Sequence, residues 1–210
     1  MGFNVDKWQR RIQSRTDISG FVYHLTKAEL DENGKVTTNA LDRLLKILKE
    51  GKINGSTTES GFITGNRKAV CFQDAPISGI VQNVAHENMY HDELGGKIRY
   101  TYVGVAFPKT YVFQNGGRPV LYEEKEIAKK ILPPEEHWRI VDFNISTKDN
   151  IIDWTHEREW RMPVDEFHFD IKKATVLLPN QHRYKELIEK MPEEELKSLL
   201  GIIQVSPLIF

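Results

Sequence analysis

Apolar positions along the chain fall into one long helical pattern and several shorter runs that are typical of strands. Residues 39–51 form the clearest helix, with Asn39 as its cap and Gly51 as its stop. Its apolar face consists of Leu41, Leu44, Leu45 and Leu48. Short apolar or alternating runs predict strands at 21–25, 69–74, 100–107, 118–124, 138–144, 157–164, 174–179 and 201–210. Weaker helical patterns follow Pro76 and cover 124–131, 181–191 and 192–200.

The order of these elements predicts an α+β fold. About seven strands and five helices are expected, and they do not alternate strictly, which argues against a doubly wound parallel sheet. The chain has 210 residues and is predicted to be a single domain at 19–210, preceded by an arm or short helix at 1–18. Residues 52–68 are rich in glycine, serine and threonine and are predicted to be a loop, which either binds a polar ligand or is mobile surface.

Composition and charge are those of an ordinary globular protein. Hydrophobic residues make up 40% of the chain, charged residues make up 28%, and the formal net charge is −1, so nothing attracts the whole chain to nucleic acid. A nucleic-acid site would have to be a local patch, and the only indication of one is the basic set Lys7, Arg10, Arg11 and Arg15. One cysteine, and no apolar run of the length that a signal peptide or a membrane span needs, predict a cytoplasmic protein without a membrane partner.

The densest stretch of reactive side chains is DWTHEREWRMP, residues 153–163. On a strand, residues two apart project from the same face, with Cα atoms roughly 6.5–7 Å apart. Glu157 and Glu159 would then share one face with Arg161, and Trp160 would point the other way. If Trp160 is buried, the two carboxylates face water or a cleft. In a cleft shielded from water, their mutual repulsion would raise the pKa of one glutamate, whereas the nearby Arg161 could hold both glutamates ionised. The alternative is a solvent-exposed edge strand without a chemical role.

A histidine and a hydroxyl lie close together at the first predicted strand. His24 is inside the apolar run FVYHL, and Thr26 follows two residues later. Such a histidine is often a core residue that bonds to a backbone carbonyl. The functional alternative is that His24 and Thr26 anchor the ribose or the amide of a ligand through hydrogen bonds.

No metal site is predicted. His86 and His91 in HENMYH are five residues apart, which places them about 140° apart around a helix, so they cannot both face one metal ion. A metal-dependent nuclease would need acids from several elements to converge, and the candidates would be Asp74, Asp142 and Glu159. Phosphate-binding glycine loops and nucleophile elbows do not occur in the sequence.

Several of these segments, taken in order, resemble a bacterial family. FVYHLT, the leucine-rich helix that ends in glycine, the Ser/Thr loop, VCFQDAPISGI, RPVLYEE and EREWRMP are similar to the abortive phage-infection family AbiGi, and more distantly to DarT-type ADP-ribosyltransferases. The resemblance covers residues 21–163, about two thirds of the chain. It rests on the order and spacing of the motifs rather than on any one of them.

The resemblance implies a split mixed or antiparallel sheet with flanking helices that binds NAD as a co-substrate. His24 would contact the nicotinamide-side ribose, with Thr26 beside it. Glu159 would be the catalytic carboxylate, and Glu157 would assist it. Tyr102 is one of several aromatic residues that would wall the nicotinamide pocket. Arg67 would hold the pyrophosphate, but an arginine in a loop is equally typical of plain surface.

The chemistry that the resemblance implies fits a pair of carboxylates. Cleavage of the nicotinamide–ribose bond builds positive charge on the anomeric carbon, which a fixed carboxylate stabilises, and a second carboxylate can take a proton from the attacking nucleophile. We therefore expect an NAD-dependent ADP-ribosyltransferase-like protein of a phage-defence or toxin–antitoxin system, with a nucleic acid or a protein as acceptor. The alternative is a non-catalytic sensor or antitoxin module with the same fold that binds a partner protein encoded with it.

Overall fold

The computed structural model describes residues 2–96 and 98–209, and it has an α+β fold with a mixed seven-stranded sheet and flanking helices. Within these residues the helices are α1 (Val5–Gln13), α2 (Ala40–Glu50), α3 (Ile77–Met89), α4 (Lys109–Gln114), α5 (Lys125–Ile131), α6 (Gln181–Lys190) and α7 (Glu193–Ser198). The strands are β1 (Phe21–Leu25), β2 (Glu29–Leu30), β3 (Val36–Thr38), β4 (Lys52–Asn54), β5 (Val70–Gln73), β6 (Gly104–Pro108), β7 (Arg118–Pro119), β8 (Leu121–Glu123), β9 (Ile140–Asp142), β10 (Glu159–Met162), β11 (Glu166–His168), β12 (Thr175–Leu178) and β13 (Gly201–Gln204). Across this part of the chain, none of the helices is both long and apolar enough to cross a membrane. Met1 of the predicted arm, Lys97, and Phe210 of the predicted terminal strand lie outside the described residues.

The seven-stranded sheet has the order β13-β12-β6-β1-β5-β10-β7. β10 is antiparallel to both β5 and β7, whereas β12 is antiparallel to β6 and parallel to β13. The predicted α+β class and the mixed sheet are therefore confirmed, and the split form that the resemblance implies stays a prediction. In the register of β10 with β5, Glu159 lies opposite Gln73 and Arg161 lies opposite Cys71.

The chain divides into two compact units. The first unit comprises Met1–Val22, Asn54–Ile77 and Pro108–Phe167. It contains β10 with its two neighbours β5 and β7. Phe72, Ile140 and Met162 are among its fully buried side chains, and the Phe72 ring packs edge-on against Phe167 with centroids 6.1 Å apart. This core holds β10, and with it the charged residues of the EREWRMP motif.

The second unit comprises Tyr23–Ile53, Ser78–Phe107 and His168–Phe210. Its core is mainly aliphatic and is built from Leu41, Leu44, Ile80, Leu177, Leu178 and Leu187. The predicted helix at 39–51 is confirmed: α2 buries three of the four predicted leucines, Asn39 caps it, and Gly51 ends it with a left-handed φ of 62°. The first predicted strand is also confirmed, since β1 has the predicted bounds.

The cap of α2 provides a prediction about stability. The Asn39 side chain accepts a hydrogen bond from the backbone N–H of Asp42 at 2.9 Å, which satisfies one of the donors left open at the start of a helix. Replacing Asn39 with alanine is expected to lower the free energy of unfolding by about 1 kcal/mol. Urea denaturation measures the change. The control is Asn33→Ala in an exposed turn, and equal losses in both variants would contradict the cap.

Several predicted elements differ from the structure in their bounds. The strand predicted at 100–107 begins only at Gly104, and the strand predicted at 138–144 is reduced to β9 because a 3-10 turn covers Pro134–Arg139. The predicted loop at 52–68 starts with β4. α4 was not predicted, because its sequence KTYVFQ mixes aromatic and β-branched residues that are typical of strands. The terminal strand β13 is half-buried rather than buried and stops at Gln204.

Candidate functional site

Glu157 and Glu159 do not form the predicted pair on one strand. β10 begins at Glu159, and Thr155–Glu157 form a 3-10 turn before it. Arg158 lies between the turn and the strand with a left-handed φ of 48°, which is uncommon for a residue other than glycine and changes the direction of the chain. The prediction that strand spacing holds both carboxylates on one face was therefore wrong.

Glu159 and Arg161 form a bidentate ion pair on β10. The Nε atom of Arg161 lies 2.7 Å from Oε1 of Glu159, and its Nη2 atom lies 3.1 Å from Oε2. Glu159 is 7% exposed and Arg161 is 4% exposed. The predicted common face of these two residues is confirmed, but the expectation that the Glu159 carboxylate faces water or a cleft was wrong, because all of β10 is buried.

Arg161 also binds the backbone before and within β9. Its Nη1 atom donates to the carbonyl oxygens of Trp138 at 2.9 Å and Ile140 at 3.0 Å. Burial opposes the positive charge, but Glu159 and the other negatively charged or titratable groups nearby together outweigh burial, and the pKa of Arg161 is raised. Because a guanidinium presents its donors in a rigid fork, these four bonds fix the side chain and tie β10 to the β9 segment.

Two further titratable side chains, Tyr122 and Cys71, adjoin this ion pair. The Tyr122 hydroxyl on β8 accepts a hydrogen bond from the backbone N–H of Glu159 at 2.7 Å. Burial raises the pKa of Tyr122, and the charges of Glu159 and Glu157 raise it further. Cys71 keeps part of its surface exposed, yet burial of the thiol raises the pKa of Cys71 well above its usual value, and the Glu159 charge adds to this effect. Both groups are therefore neutral at physiological pH.

Glu157 belongs to the same group of side chains although it lies outside the strand. Its negative charge raises the pKa of Cys71, Tyr122 and Arg161. We name Glu157, Glu159, Arg161, Tyr122 and Cys71 the carboxylate cluster. Glu157 is half-buried whereas Glu159 is buried, so Glu157 is the carboxylate of this cluster that retains accessible surface for a ligand. The sequence pointed to both glutamates, but it gave no reason to place Tyr122 or Cys71 beside them.

Three of the four predicted NAD-binding residues, His24, Thr26 and Tyr102, belong to the second unit. Thr26 is 2% exposed, and its hydroxyl lies 3.0 Å from the carbonyl oxygens of both Ala40 and Val103. A hydroxyl has one proton to donate, and the Thr26 hydroxyl donates it to these carbonyl oxygens inside the core. Thr26 therefore has no accessible hydroxyl for a ribose, and we leave it out of the proposed site.

His24 and Tyr102 are both half-buried. His24 lies on β1, where its carbonyl oxygen would be only 2.5 Å from a Cβ atom added at Gly104, so glycine is required at that position. Burial raises the pKa of Tyr102, which keeps its hydroxyl neutral at physiological pH. The roles of His24 and Tyr102 in binding NAD stay predictions.

Arg67 belongs to the first unit and is exposed. Its Nη2 atom donates to the carbonyl oxygen of Pro163 at 2.8 Å, so the side chain fastens its loop to the residue that follows β10. A hydrogen bond from a side chain to a backbone carbonyl is typical of a surface arginine with a structural role. A part in holding a pyrophosphate stays a prediction.

The described residues contain no group of three or more histidine, cysteine, aspartate or glutamate side chains that could hold a metal ion. This result bears on the nuclease alternative, which required Asp74, Asp142 and Glu159 to converge. Asp74 instead accepts a hydrogen bond from the indole of Trp160 at 3.1 Å, and the carboxylate of Asp142 accepts one from the backbone of Lys125 at 3.0 Å. The nuclease alternative therefore has no support among the described residues.

No protein-family model, no curated protein and no solved structure matches this chain.

Proposed function

We propose that this protein is an NAD-dependent ADP-ribosyltransferase-like enzyme of a phage-defence or toxin–antitoxin system. The observation that supports the proposal best is the position of Glu157, half-buried beside the buried Glu159–Arg161 ion pair. A carboxylate in such a place is held in a defined electrostatic environment before any substrate binds, and preorganised charge is usually the largest contribution to catalysis of this kind.

The charges of the carboxylate cluster favour the bond cleavage that the proposal requires. Arg161 neutralises Glu159 through the bidentate contact, and Tyr122 and Cys71 are neutral because their pKa values are raised. With both carboxylates ionised, Glu157 and Glu159 outnumber the single positive charge of Arg161, so the formal charge of the cluster is negative. A negative charge there stabilises the positive charge that develops on the anomeric carbon of NAD. The structure therefore supports a division of roles that differs from the predicted one, with Glu157 meeting the substrate and Glu159 positioning Arg161.

The reaction that we propose is a substitution at the anomeric carbon. The bond between this carbon and the nicotinamide nitrogen breaks, and its electron pair leaves with nicotinamide. A nucleophilic oxygen or nitrogen of the acceptor then forms the new bond, and its proton passes to a base, for which the Glu157 carboxylate is our candidate. The roles in NAD binding that the resemblance implies for His24, Tyr102 and Arg67 stay predictions. The acceptor is a nucleic acid or a protein.

Calorimetric titration with NAD, together with an assay for released nicotinamide, tests the proposal. The wild-type protein is expected to bind NAD saturably and to release nicotinamide faster than buffer alone, and His24→Ala is expected to weaken NAD binding. A protein that neither binds NAD nor releases nicotinamide with nucleic-acid and protein acceptors would contradict the proposed function.

A second candidate function is a non-catalytic sensor or antitoxin module that binds a partner protein. It is favoured by the burial of Glu159 and by the bidentate contact that takes both of its carboxylate oxygens, since this is what a purely structural ion pair looks like. If the folded protein does not bind NAD, the non-catalytic partner-binding module becomes the better-supported function. Co-purification with the product of a neighbouring gene is then the expected result.

A further inference from the structure

The first unit has an open hollow beside Trp160. Side chains alternate along a strand, so Trp160 points away from the face of β10 that carries Glu159 and Arg161. The hollow has a volume of about 270 Å³. It lies between α1, α4 and β10 and is lined by Trp8, Lys109, Thr110, Phe113, Gln114 and Trp160. The carboxylate cluster contributes no residue to this lining.

Three aromatic side chains give the hollow flat apolar walls. Trp160 is buried, and its indole N–H donates to Asp74 at 3.1 Å, which fixes the plane of the ring. The Phe113 ring meets Trp160 edge to face, with centroids 6.5 Å apart, and is 49% exposed. Trp8 comes from α1, which has no buried residue of its own. Trp160 therefore gives the hollow a fixed, buried wall, and the more exposed rings of Trp8 and Phe113 are suited to stacking against a flat ligand.

Positive charge borders these walls. The Lys109 ammonium lies 6.0 Å from the centre of the Trp160 ring and 2.6 Å from Asp74, and the Arg118 guanidinium lies 3.8 Å from the centre of the Phe113 ring. The helix that supplies Trp8 carries three basic residues, Lys7, Arg10 and Arg11, against one acidic residue, Asp6. Because Asp74 neutralises Lys109, the positive charge near the hollow comes from Arg118 and the basic residues of α1. It favours a ligand that combines a flat ring with negative charge.

We propose that this hollow binds a free mononucleotide, with the base stacked among Trp8, Phe113 and Trp160 and the phosphate directed to the basic border. The volume of about 270 Å³ lies slightly below the usual range of ligand pockets, so it suits one ring system rather than several. A single nucleotide also fits the formal net charge of −1 better than a long polyanion, which gains affinity from many cationic contacts. The proposal does not depend on the proposed transferase activity, because the hollow and the carboxylate cluster share no residue.

Isothermal titration calorimetry at low salt with AMP and UMP tests the proposal. Both nucleotides are expected to bind saturably. Adenosine, which lacks the phosphate, and ribose 5-phosphate, which lacks the base, are each expected to bind at least about tenfold more weakly. Trp8→Ala and Phe113→Ala are each expected to raise the Kd of AMP by about tenfold or more, which equals about 1.4 kcal/mol.

Two control variants separate the hollow from other surfaces. Phe62→Ala removes an aromatic ring that is 70% exposed and lies outside the hollow, and Glu157→Gln alters the carboxylate cluster. Both are expected to leave the Kd of AMP unchanged. The proposal is overturned if the wild-type protein does not bind mononucleotides, if only single-stranded oligonucleotides bind, if the Trp8 and Phe113 variants bind as well as the wild type, or if Glu157→Gln abolishes binding. Thermal unfolding measurements identify a variant that fails to fold. If either Trp8→Ala or Phe113→Ala does not fold, the Kd of AMP for the other variant decides the test.

Discussion

Replacing Arg161 with methionine is expected to lower the free energy of unfolding by about 3–5 kcal/mol. Glu159, which is 7% exposed, would keep its charge in the core without its guanidinium partner, and the carbonyl groups of Trp138 and Ile140 would lose a donor. Proteins of this kind have a total stability of only about 5–15 kcal/mol, so the variant should lose a large part of its stability. Urea denaturation followed by circular dichroism measures the loss.

An exposed ion pair is the matched control for this substitution. Arg43 lies 3.6 Å from Glu29, and both side chains are substantially exposed. Arg43→Met is expected to cost less than about 1 kcal/mol, since solvent screens such pairs. The double variant Glu159→Leu with Arg161→Met also removes the Glu159 carboxylate, which Arg161→Met would leave in the core without its guanidinium partner. It is expected to regain part of the stability that Arg161→Met loses. If Arg161→Met lowered the free energy of unfolding no more than Arg43→Met does, the buried Glu159–Arg161 ion pair would not contribute the stability that we assign to it.

The parts of the fold that the sequence predicted well are those whose signals are local. The helix α2 has an apolar face, a capping asparagine and a terminating glycine within one segment, and these features fix its bounds without help from the rest of the chain. α4 shows the opposite case. Its residues Tyr111, Val112 and Phe113 favour strands by propensity, but Val112 is fully buried, so tertiary packing rather than local preference decides this helix.

The candidate site was predicted only in part, because its geometry depends on contacts that are distant in sequence. The Glu159–Arg161 contact follows from strand spacing, and its prediction was correct. The burial of the pair could not be predicted, since charged residues are mostly exposed unless paired, and the groups that satisfy Arg161 are carbonyl oxygens 21 and 23 residues away. The left-handed backbone of Arg158, which removes Glu157 from the strand, likewise has no signature in the sequence.

β10 thus separates two kinds of surface. Glu159 and Arg161 belong to the carboxylate cluster on one face, whereas Trp160 between them lines the aromatic hollow on the other. A strand that is buried along its whole length holds both sets of side chains rigidly, and rigid elements position functional groups more accurately than loops do. Substitutions on the two faces should therefore have separable effects, on the proposed NAD chemistry for one face and on the proposed mononucleotide binding for the other.

Replacing Glu157 with glutamine is expected to lower kcat for nicotinamide release by about 10²–10⁴-fold, while the midpoint of thermal unfolding stays close to that of the wild type. The substitution keeps the size of the side chain but removes the negative charge of Glu157 from the carboxylate cluster. Glu157 is half-buried and lies in a turn, so the change should be tolerated structurally. Steady-state assays of nicotinamide release over a range of NAD concentrations separate kcat from KM.

Two glutamine variants complete the comparison. Glu159→Gln places an amide against the donors of Arg161 inside the core, and it is expected to lower stability by several kcal/mol, whereas Glu135→Gln in an exposed turn should change neither stability nor activity. Loss of activity in Glu159→Gln with unchanged stability, together with full activity in Glu157→Gln, would reverse the roles that we assign to the two glutamates. If neither substitution reduced nicotinamide release, the carboxylate cluster would not be the catalytic site. The contrast between the two variants therefore tests a physical distinction, since a carboxylate already neutralised in the core can only support the structure, whereas the charge next to it can act on a substrate.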